Sequence, residues 1–585
     1  MDAARPRVHP PPLVLARSQD PAAHAARRAL QGGRLLSGEA TSLATRVRPD
    51  TEPPHPAPSA PSLAGPLAAA TAVALALRLF RLGHQSLWID EVFTLYTAAV
   101  GQDVPLSHWL EVIHGPLFSL VLHAWCGVAG TSEWALRLPS AVFSAAFVPV
   151  LGLVAARWLG RDAAVPAAWL AAGSPFLVWY GQEARNYSLM LLATGVAALA
   201  ALALRERLTA ARAAAWLAGC AAGVLSNFSF VFLAPLHALW FLGAPGRRAR
   251  RLALLGAAAA AIALTALPWA PQAARTWDWS RLVPARAAPA GEAPLRGATT
   301  FHPAAVPFAA HAFLVGYAYG PSLRELRRDA SWRTLAPYAP ALALEAAVFG
   351  ALGAAGIAAL ARRRRLVQAA LWIAVPALAV SYLAAQNFKV FHPRYLAVAA
   401  PGVLLVLAAG FAALRGPARA ALAAGVVVVW AWALAQHYAD PRYAKEDYRG
   451  VAALLRARGA EGETVVVAGA EDGLIHYYRG PLTVNVVWLG HAADPARMDA
   501  ELDERVAGSR AAWVVVSRSE DLDPADRFAR RLDERWPDAE RLRWPGVRVW
   551  RLALDGGGAP GAGMAPPRTT DEASAAAAAD STGDE

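Results

Sequence analysis

The sequence has little charge and almost no cysteine. Of its 585 residues only 17% are Asp, Glu, Lys or Arg, whereas 56% are hydrophobic. This composition excludes an ordinary soluble enzyme of one or two domains. Both cysteines, Cys126 and Cys220, lie inside apolar segments, so neither a disulfide framework nor a cysteine-based metal site can be built from them. Lipid must therefore be one of the solvents of this chain.

The sequence also lacks a single basic stripe of the kind that binds nucleic acid. Its formal net charge is +12, but the arginines fall in short clusters between apolar runs. This is the pattern of cytoplasmic membrane loops, and it excludes nucleic acid as a partner.

Long apolar runs dominate the part of the chain from residue 61 to 440. A membrane-spanning helix needs roughly 17 to 25 apolar residues, and this criterion predicts about eleven spans. They are 64–82, 136–158, 164–181, 185–204, 211–226, 228–245, 251–271, 335–361, 366–385, 394–414 and 418–438. Residues 1–60, rich in Pro, Ala and Arg, are expected to be a disordered cytoplasmic tail.

The arginine clusters predict the orientation of these spans, because positive loops face the cytoplasm. Placing every cluster inside gives a chain with its N-terminus inside and its C-terminus outside. The shorter apolar stretches 114–129 and 303–320 then cannot cross, and we expect them at the outer interface. The fold class predicted is a polytopic α-helical membrane protein of the cell (plasma or inner) membrane.

Residues 441–555 differ in character from the spans. Strand-like runs at 464–467, 482–487, 512–516 and 547–552 alternate with helix-like stretches at 446–458, 494–507 and 523–535. This alternation predicts a small extracytoplasmic α/β domain with a largely parallel sheet. The turn at 468–473 lacks the complete G-x-G-x-x-G spacing, which argues against a nucleotide site. Residues 556–585 are expected to be disordered.

Ionisable residues beside the outer ends of spans are the candidates for chemistry, because charge in hydrocarbon is costly and usually lines a cavity. The first candidates are Asp90 and Glu91, which directly follow the first span. As an alternative, such a pair can cap the helix that follows, since acidic groups suit a helix N-terminus.

Three further outer segments carry candidates. His114 opens a short helix beside Pro116, although it is also explained as an incidental residue at a helix start. A tight hairpin supplies Gln182, Glu183, Arg185 and Tyr187, more polar groups than a short turn needs, although Glu183 and Arg185 could be merely solubilising. Residues 387–395 include Lys389, His392, Arg394 and Tyr395. Arg394 can bind a phosphate through a forked pair of hydrogen bonds, or it can reach towards lipid headgroups.

Five motifs in order carry a family resemblance. They are Trp-Ile-Asp-Glu-Val-Phe-Thr at 88–94, His-Gly-Pro-Leu-Phe at 114–118, Ala-Leu-Arg-Leu-Pro-Ser at 135–140, Gln-Glu-Ala-Arg-Asn-Tyr at 182–187 and Pro-Arg-Tyr-Leu at 393–396. Together they resemble the bacterial family 39-like membrane glycosyltransferases of the GT-C class, which are related to protein O-mannosyltransferases and to the aminoarabinose transferase of lipid A. The resemblance covers roughly 64–450 and reaches the segment 445–450. His-Gly-Pro departs from the His-Pro-Pro that is commoner in such proteins.

The resemblance implies an enzyme that moves a sugar from a polyprenyl-phosphate carrier to an extracytoplasmic glycan, lipid or protein, with inversion. Asp90 would be the general base, and Glu91 would orient it or bind the acceptor. Arg185, Arg394 and Lys389 would hold the lipid phosphate, while His114, Gln182, Glu183, Tyr187, His392 and Tyr395 would shape the site. The implied partners are the lipid-linked donor, the acceptor and membrane lipid.

Two questions stay open at this point. The sequence assigns no cofactor and leaves a divalent metal open: Glu183, His114, His302 and His392 offer ligand types that suit one, without a compact spacing. The other functions to consider are a transporter or flippase for a lipid-linked saccharide, and a non-catalytic envelope assembly protein. A transporter is expected to have polar residues near mid-span, whereas here they cluster at the outer ends.

Overall fold

The computed structural model describes residues 62–112, 115–243, 248–276, 279–282, 301–386 and 388–554. The tails expected at 1–60 and 556–585, and the candidate His114, lie outside the described residues. The helices of the membrane part are Ala64–Leu79, Ile89–Thr97, Leu106–Glu111, Leu117–Ala129, Glu133–Trp158, Ala164–Gly173, Pro175–Gly181, Tyr187–Glu206, Ala210–Ser226, Ala234–Leu242, Arg248–Ala266, Ala270–Thr276, Ala305–Val315, Leu323–Arg328, Trp332–Leu335, Ala339–Arg362, Leu366–Ala385, Ala400–Ala413 and Gly416–Ala439.

Seven helices in the described part of the chain are long and apolar enough to cross a membrane, or eight if one bent pair counts as a span. This confirms an integral membrane protein. The seven are Glu133–Trp158, Tyr187–Glu206, Arg248–Thr276, Trp332–Arg362, Leu366–Ala385, Pro393–Ala413 and Gly416–Ala439. The other predicted spans coincide with the bent pair and with three shorter apolar helices, Ala64–Leu79, Ala210–Ser226 and Phe228–Leu242. The count of eleven and the orientation stay predictions.

The span predicted at 164–181 is two helices, which meet at 55°. Ser174 and Pro175 explain the break, because the Ser174 hydroxyl caps the second helix by accepting from the Leu177 amide at 3.3 Å and proline suits a first helical turn. A break exposes the last carbonyls of the first helix, which must be satisfied where water is excluded.

Arg78 of the first helix satisfies those carbonyls. Its guanidinium donates to the carbonyls of Ala171 at 3.1 Å and Ala172 at 2.9 Å. It also donates to the Ser144 hydroxyl at 2.7 Å. The fully buried Arg78 therefore joins three helices at the point where one of them is interrupted.

The C-terminal part contains five strands, β1 (Glu463–Ala468), β2 (Thr483–Val487), β3 (Ala511–Ser517), β4 (Glu540–Trp544) and β5 (Val547–Ala553), together with helices Tyr448–Arg458, Glu471–Tyr477, Pro495–Val506, Ser519–Leu522 and Arg527–Arg535. They form one sheet in the order β2-β1-β3-β5-β4. β1 and β3 are buried along their whole length, as expected of central strands with helices on both faces. We call this sheet with its helices the α/β layer.

The prediction of a largely parallel sheet is wrong in one half. β1 pairs in parallel with β2 and β3, but β5 is antiparallel to both β3 and β4. The reason is local: Pro545 and Gly546 make a tight turn between β4 and β5, with Gly546 at φ 66°, so these strands must run in opposite directions. The short strand β4 was not predicted.

The α/β layer is held against the segment that precedes the acidic pair. The Leu87 amide donates to the Tyr477 hydroxyl oxygen at 2.7 Å, and the Ser86 hydroxyl donates to the carbonyl of Glu446 at 2.6 Å. Tyr477 in turn donates to Glu133 at 3.0 Å. These bonds place the layer next to helix Ile89–Thr97, which carries Asp90 and Glu91.

Candidate active site

Glu91 lies at the centre of a buried ion pair. Arg137 donates from Nε and Nη2 to the two oxygens of the Glu91 carboxylate, both at 2.7 Å. The amide of Ala184 donates to the same carboxylate at 2.9 Å, and Lys445 Nζ lies 3.2 Å from it. Burial by itself would raise the pKa of Glu91, but the charges of Arg137 and Lys445 and these hydrogen bonds lower the pKa to about 2.

Glu91 also accepts a bond from the Trp88 amide at 3.4 Å, at the start of helix Ile89–Thr97. The alternative interpretation of the acidic pair, a helix cap, is therefore supported for Glu91. Its carboxylate is fully buried and has every oxygen occupied, so it is placed to hold the structure together rather than to meet a substrate.

Asp90 faces a different set of cations. Its carboxylate forms a short ion pair with Arg394 and lies 3.9 Å from Arg185. Arg185 also donates to the Asp90 carbonyl at 3.0 Å and to the Thr94 hydroxyl at 3.1 Å. Three of the predicted residues, from segments far apart in the chain, thus meet within contact distance.

Glu183 is the third buried acid of the site. The Trp179 indole donates to its carboxylate at 2.7 Å, and Lys445 Nζ lies 3.4 Å away. Its pKa is raised, first by burial and then by the charges of Glu91 and Asp90, against the opposing charge of Lys445. Lys445 therefore joins two acids, Glu91 and Glu183.

The remaining predicted residues divide into structural and site-facing groups. Gln182 donates to the carbonyls of Arg78 at 3.0 Å and Phe80 at 2.7 Å, so it secures the end of the first helix. Tyr187 is buried against Tyr180, with ring centroids 4.9 Å apart. Gln182 and Tyr187 therefore stabilise the structure around the site.

His392, Tyr395 and Lys389 lie near Arg394. His392 accepts from the Arg394 amide at 3.2 Å, and its pKa is far below the usual value because of burial and then the charge of Arg394. Arg394 donates to the Tyr395 hydroxyl at 3.1 Å. Lys389 lies 4.4 Å above the Tyr395 ring, so the structure brings it to Tyr395.

A cavity of about 860 Å³, which includes solvent at its mouth, lies between the membrane part and the α/β layer. Its lining in the described residues consists of Trp88, Trp179, Tyr180, Glu183, Tyr317, Ser322, Leu323, Arg324, Arg327, His392, Arg394, Arg442, Tyr443, Ala444, Lys445, Glu446, Arg518 and Glu520. Asp90 and Arg185 are outside this set, directly behind Arg394. Six cationic side chains against three acidic ones favour an anionic ligand.

Sequence reasoning missed several of these residues. Arg137 stands inside a quoted motif, and a charge within an apolar span was itself a signal. Lys445 opens the segment 445–450, to which the family resemblance extends without implying a role for the lysine. Arg324, Arg327 and Arg518 carried no local signal, because only the fold brings them to the cavity.

The described residues include no group of three or more His, Cys, Asp or Glu side chains that could hold a metal ion. His392 and Glu183 both line the cavity, but nearby Lys445 and Arg394 give the cavity cationic rather than metal-binding chemistry. We assign no step to a metal.

Comparison with known proteins gives one family match. Residues 113–270 match the family model described as dolichyl-phosphate-mannose-protein mannosyltransferase. The matched segment contains three of the five motifs, those at 114–118, 135–140 and 182–187. No curated protein matches the chain.

Three solved structures are similar to this chain at low identity. ArnT from Cupriavidus metallidurans bound to undecaprenyl phosphate has 15% identity and a TM-score of 0.49, with 85% of this chain and 100% of that chain covered. An Archaeoglobus fulgidus oligosaccharyltransferase has 14% identity, a TM-score of 0.41 and coverage of 77% and 68%. The arabinofuranosyltransferase AftD from Mycobacteria has 15% identity, a TM-score of 0.41 and coverage of 85% and 42%.

The family model matches the part of the chain that holds Arg137, Glu183 and Arg185, which the structure places together beside the acidic pair. The resemblance predicted from the motifs is thereby confirmed, and this chain is similar to the membrane glycosyltransferases of the GT-C class.

Proposed function

We propose that this protein is an inverting glycosyltransferase that moves a sugar from a polyprenyl-phosphate carrier to an acceptor on the extracytoplasmic side. The observation that carries the proposal is the placement of Asp90 behind Arg394, which lines a cavity with more cationic than acidic side chains. The family match over residues 113–270 supports the same reaction class. A membrane-anchored donor also suits a compartment without nucleotide sugars.

Asp90 is the proposed general base. As the acceptor oxygen bonds to the anomeric carbon, its proton passes to the Asp90 carboxylate, and the bond from that carbon to the phosphate oxygen breaks. The carrier leaves as a lipid phosphate with an additional negative charge. Since a phosphate paired with cations is a good leaving group, no strong general acid is needed.

Arg394 is the proposed principal ligand of the leaving phosphate, because it lines the cavity and touches Asp90 at the same time. Arg185 holds the backbone and carboxylate of Asp90 in place and adds positive charge behind Arg394. Lys389 is the weaker third cation, since its ammonium lies on the Tyr395 ring. Forked guanidinium groups suit phosphate oxygens.

Glu91 is proposed to orient the base without taking the proton. It is fixed by Arg137 and Lys445 one residue from Asp90, and its lowered pKa makes it a poor proton acceptor. Glu183 lines the cavity and has a raised pKa, so it is the second candidate for the base.

Mass spectrometry of envelope glycans, lipids and proteins from cells with and without this chain would identify the transferred sugar and its acceptor. Asp90→Asn should then fail to restore that sugar, with transfer lowered by about 10² to 10⁴-fold, because an amide accepts no proton. Asp103→Asn, at an exposed acid of the same outer segment, is the matched control and should restore it fully.

The outcome also separates the other functions. If Asp90→Asn restores the sugar at unchanged protein level, the proposed role of Asp90 is wrong. Loss of the sugar in Glu183→Gln would then assign the role of base to Glu183. Full activity of both variants would favour a transporter or an assembly protein.

A further inference from the structure

Three cations surround the indole of Trp88 inside the cavity. The charged groups of Arg394 and Lys445 each lie 5.8 Å from the ring centroid, and that of Arg518 lies 5.9 Å from it. Trp88 Nε1 is buried and has no hydrogen-bond partner among the described residues. Cations gathered around one aromatic ring, with an unused N–H donor beside them, form a surface that suits an anion.

His392, which also lines the cavity, indicates that arginines converge here. After burial, the causes of the lowered pKa of His392 are the charges of Arg394, Arg327 and Arg518. These three guanidinium groups come from a membrane helix, from helix Leu323–Arg328 and from the end of strand β3. Like charges that act on one imidazole repel one another, and a bound anion would lower this repulsion.

The backbone at Arg518 is also unusual. Arg518 directly follows β3 and has φ 49°, a conformation that residues other than glycine adopt only at a cost. β3 is the central strand of the sheet, and ligands of such sheets commonly bind at the carboxyl ends of the parallel strands. The strained turn therefore places Arg518 where a ligand site is expected.

Arg327 is positioned by its neighbour Arg324. Arg324 donates to the carbonyl of Ala444 at 2.7 Å and lies 3.4 Å from Glu446 and 3.9 Å from Glu520. These contacts attach helix Leu323–Arg328 to the start of the α/β layer. Arg324 thereby meets two of the three acids that line the cavity, while Arg327 and Arg518 add to its positive charge.

We infer that Arg327 and Arg518 form a phosphate-binding position in this cavity, next to Arg394, and that the α/β layer is thus part of the substrate site. The inference rests on the proposed function and extends it, because it gives the layer a role. The ligand is a phosphate group, either of the donor carrier or of a phosphorylated acceptor.

The test uses the full chain in nanodiscs, with Arg518→Asn and Arg327→Gln. Asn tolerates a positive φ better than most residues, so the turn should survive, and Arg518→Lys keeps the charge. Arg497→Gln, at an exposed arginine of the same layer, is the matched control. Unfolding temperatures equal to that of the unchanged chain would show that each variant is folded. If Arg518→Asn is not folded, Arg327→Gln alone is enough to test the inference.

Two titrations separate the two sources of the phosphate. If the position holds the carrier, both variants should bind undecaprenyl phosphate about 10 to 100-fold more weakly, which is the loss of one charged hydrogen bond. If it holds an acceptor phosphate, that affinity should stay unchanged, and inorganic phosphate, titrated with undecaprenyl phosphate saturating, should bind more weakly to the same degree. Unchanged affinity in both titrations would overturn the inference.

The result is independent of the test of function. The test of function measures transfer by Asp90→Asn, whereas this test measures binding by Arg327→Gln and Arg518→Asn. Normal binding by the arginine variants with loss of transfer in Asp90→Asn would refute this inference and leave the function standing. If the arginine variants bind more weakly but the unchanged chain transfers no detectable sugar, the phosphate-binding position stands and the proposed function is refuted.

Discussion

The side chains of Asp90 and Glu91 leave the same helix and meet different partners. Glu91 is enclosed by Arg137, Lys445 and the Ala184 amide, whereas Asp90 pairs with Arg394 at the edge of the cavity. A carboxylate with all its hydrogen bonds satisfied by protein has no lone pair to offer a substrate. Glu91 is therefore held within the structure, whereas Asp90 is the acid proposed as the base.

Removing one partner of the Glu91 pair should destabilise the protein strongly. Glu91→Gln leaves Arg137 as an uncompensated buried charge, at a cost of about 3 to 5 kcal/mol. Denaturant unfolding in detergent would measure it, with Glu111→Gln at an exposed acid as control. A Glu91→Gln variant as stable as the control would contradict the role assigned to this pair.

The same pair predicts a pH dependence of stability. The pKa of Glu91 is lowered from 4.5 to about 2 in the folded chain. Its contribution is therefore complete above pH 4.5 and is lost as the pH falls from there towards 2. Unfolding temperatures measured across this window should fall less steeply in Glu91→Gln, and equal slopes would contradict the assignment.

Between elements, glycines allow two of the membrane helices to touch. A Cβ on Gly356 of helix Ala339–Arg362 would lie 2.1 Å from the Val406 carbonyl oxygen. One on Gly410 would lie 2.3 Å from the Leu352 carbonyl oxygen. Both distances are far inside van der Waals contact, so these two helices depend on small residues at their interface.

Gly356→Ala should therefore push these helices apart, although alanine is otherwise the better helix former. Overpacking of this kind typically costs about 1 to 3 kcal/mol. Gly353→Ala on the same helix is the matched control, because its added Cβ meets nothing within 4 Å. Comparing the unfolding temperatures of the two variants in detergent tests this packing. Equal values would show that the two helices can move apart without loss of stability.

For the molecule as a whole, the α/β layer and the membrane part share one site. Tyr477 bridges them, because its hydroxyl accepts from the Leu87 amide and donates to Glu133. Leu87 lies only three residues before Asp90. Lys445 reaches from the base of the layer to Glu91 and Glu183. The layer thus helps to determine where the acids stand.

Tyr477→Phe should lower sugar transfer by about fivefold, because losing these hydrogen bonds removes about 1 kcal/mol and loosens the segment that carries Asp90. Tyr478→Phe removes a hydroxyl that bonds within the layer, to the Leu482 amide at 3.1 Å, and should leave transfer nearly unchanged. The transfer assay with both variants decides this, and equal activity would mean that the contact with Leu87 does not position Asp90.

Much of this architecture could be predicted from local sequence patterns. Apolar length indicated the membrane helices, and β-branched runs such as Val465–Val467 indicated four of the five strands. The bend at Ser174 and the antiparallel half of the sheet were not predicted, because they depend on a cap and on a two-residue turn. Such local choices leave the overall hydrophobic pattern unchanged.

The sequence by itself determined that the chain enters a membrane and which side chains are candidates for chemistry, since apolar length and unusual charge are properties of short segments. Only the tertiary structure decided which of these side chains meet. Arg394 is 304 residues from its partner Asp90, and Lys445 is 354 residues from Glu91. No periodicity reports which distant charges will meet, because that depends on how the helices and the α/β layer pack around the cavity.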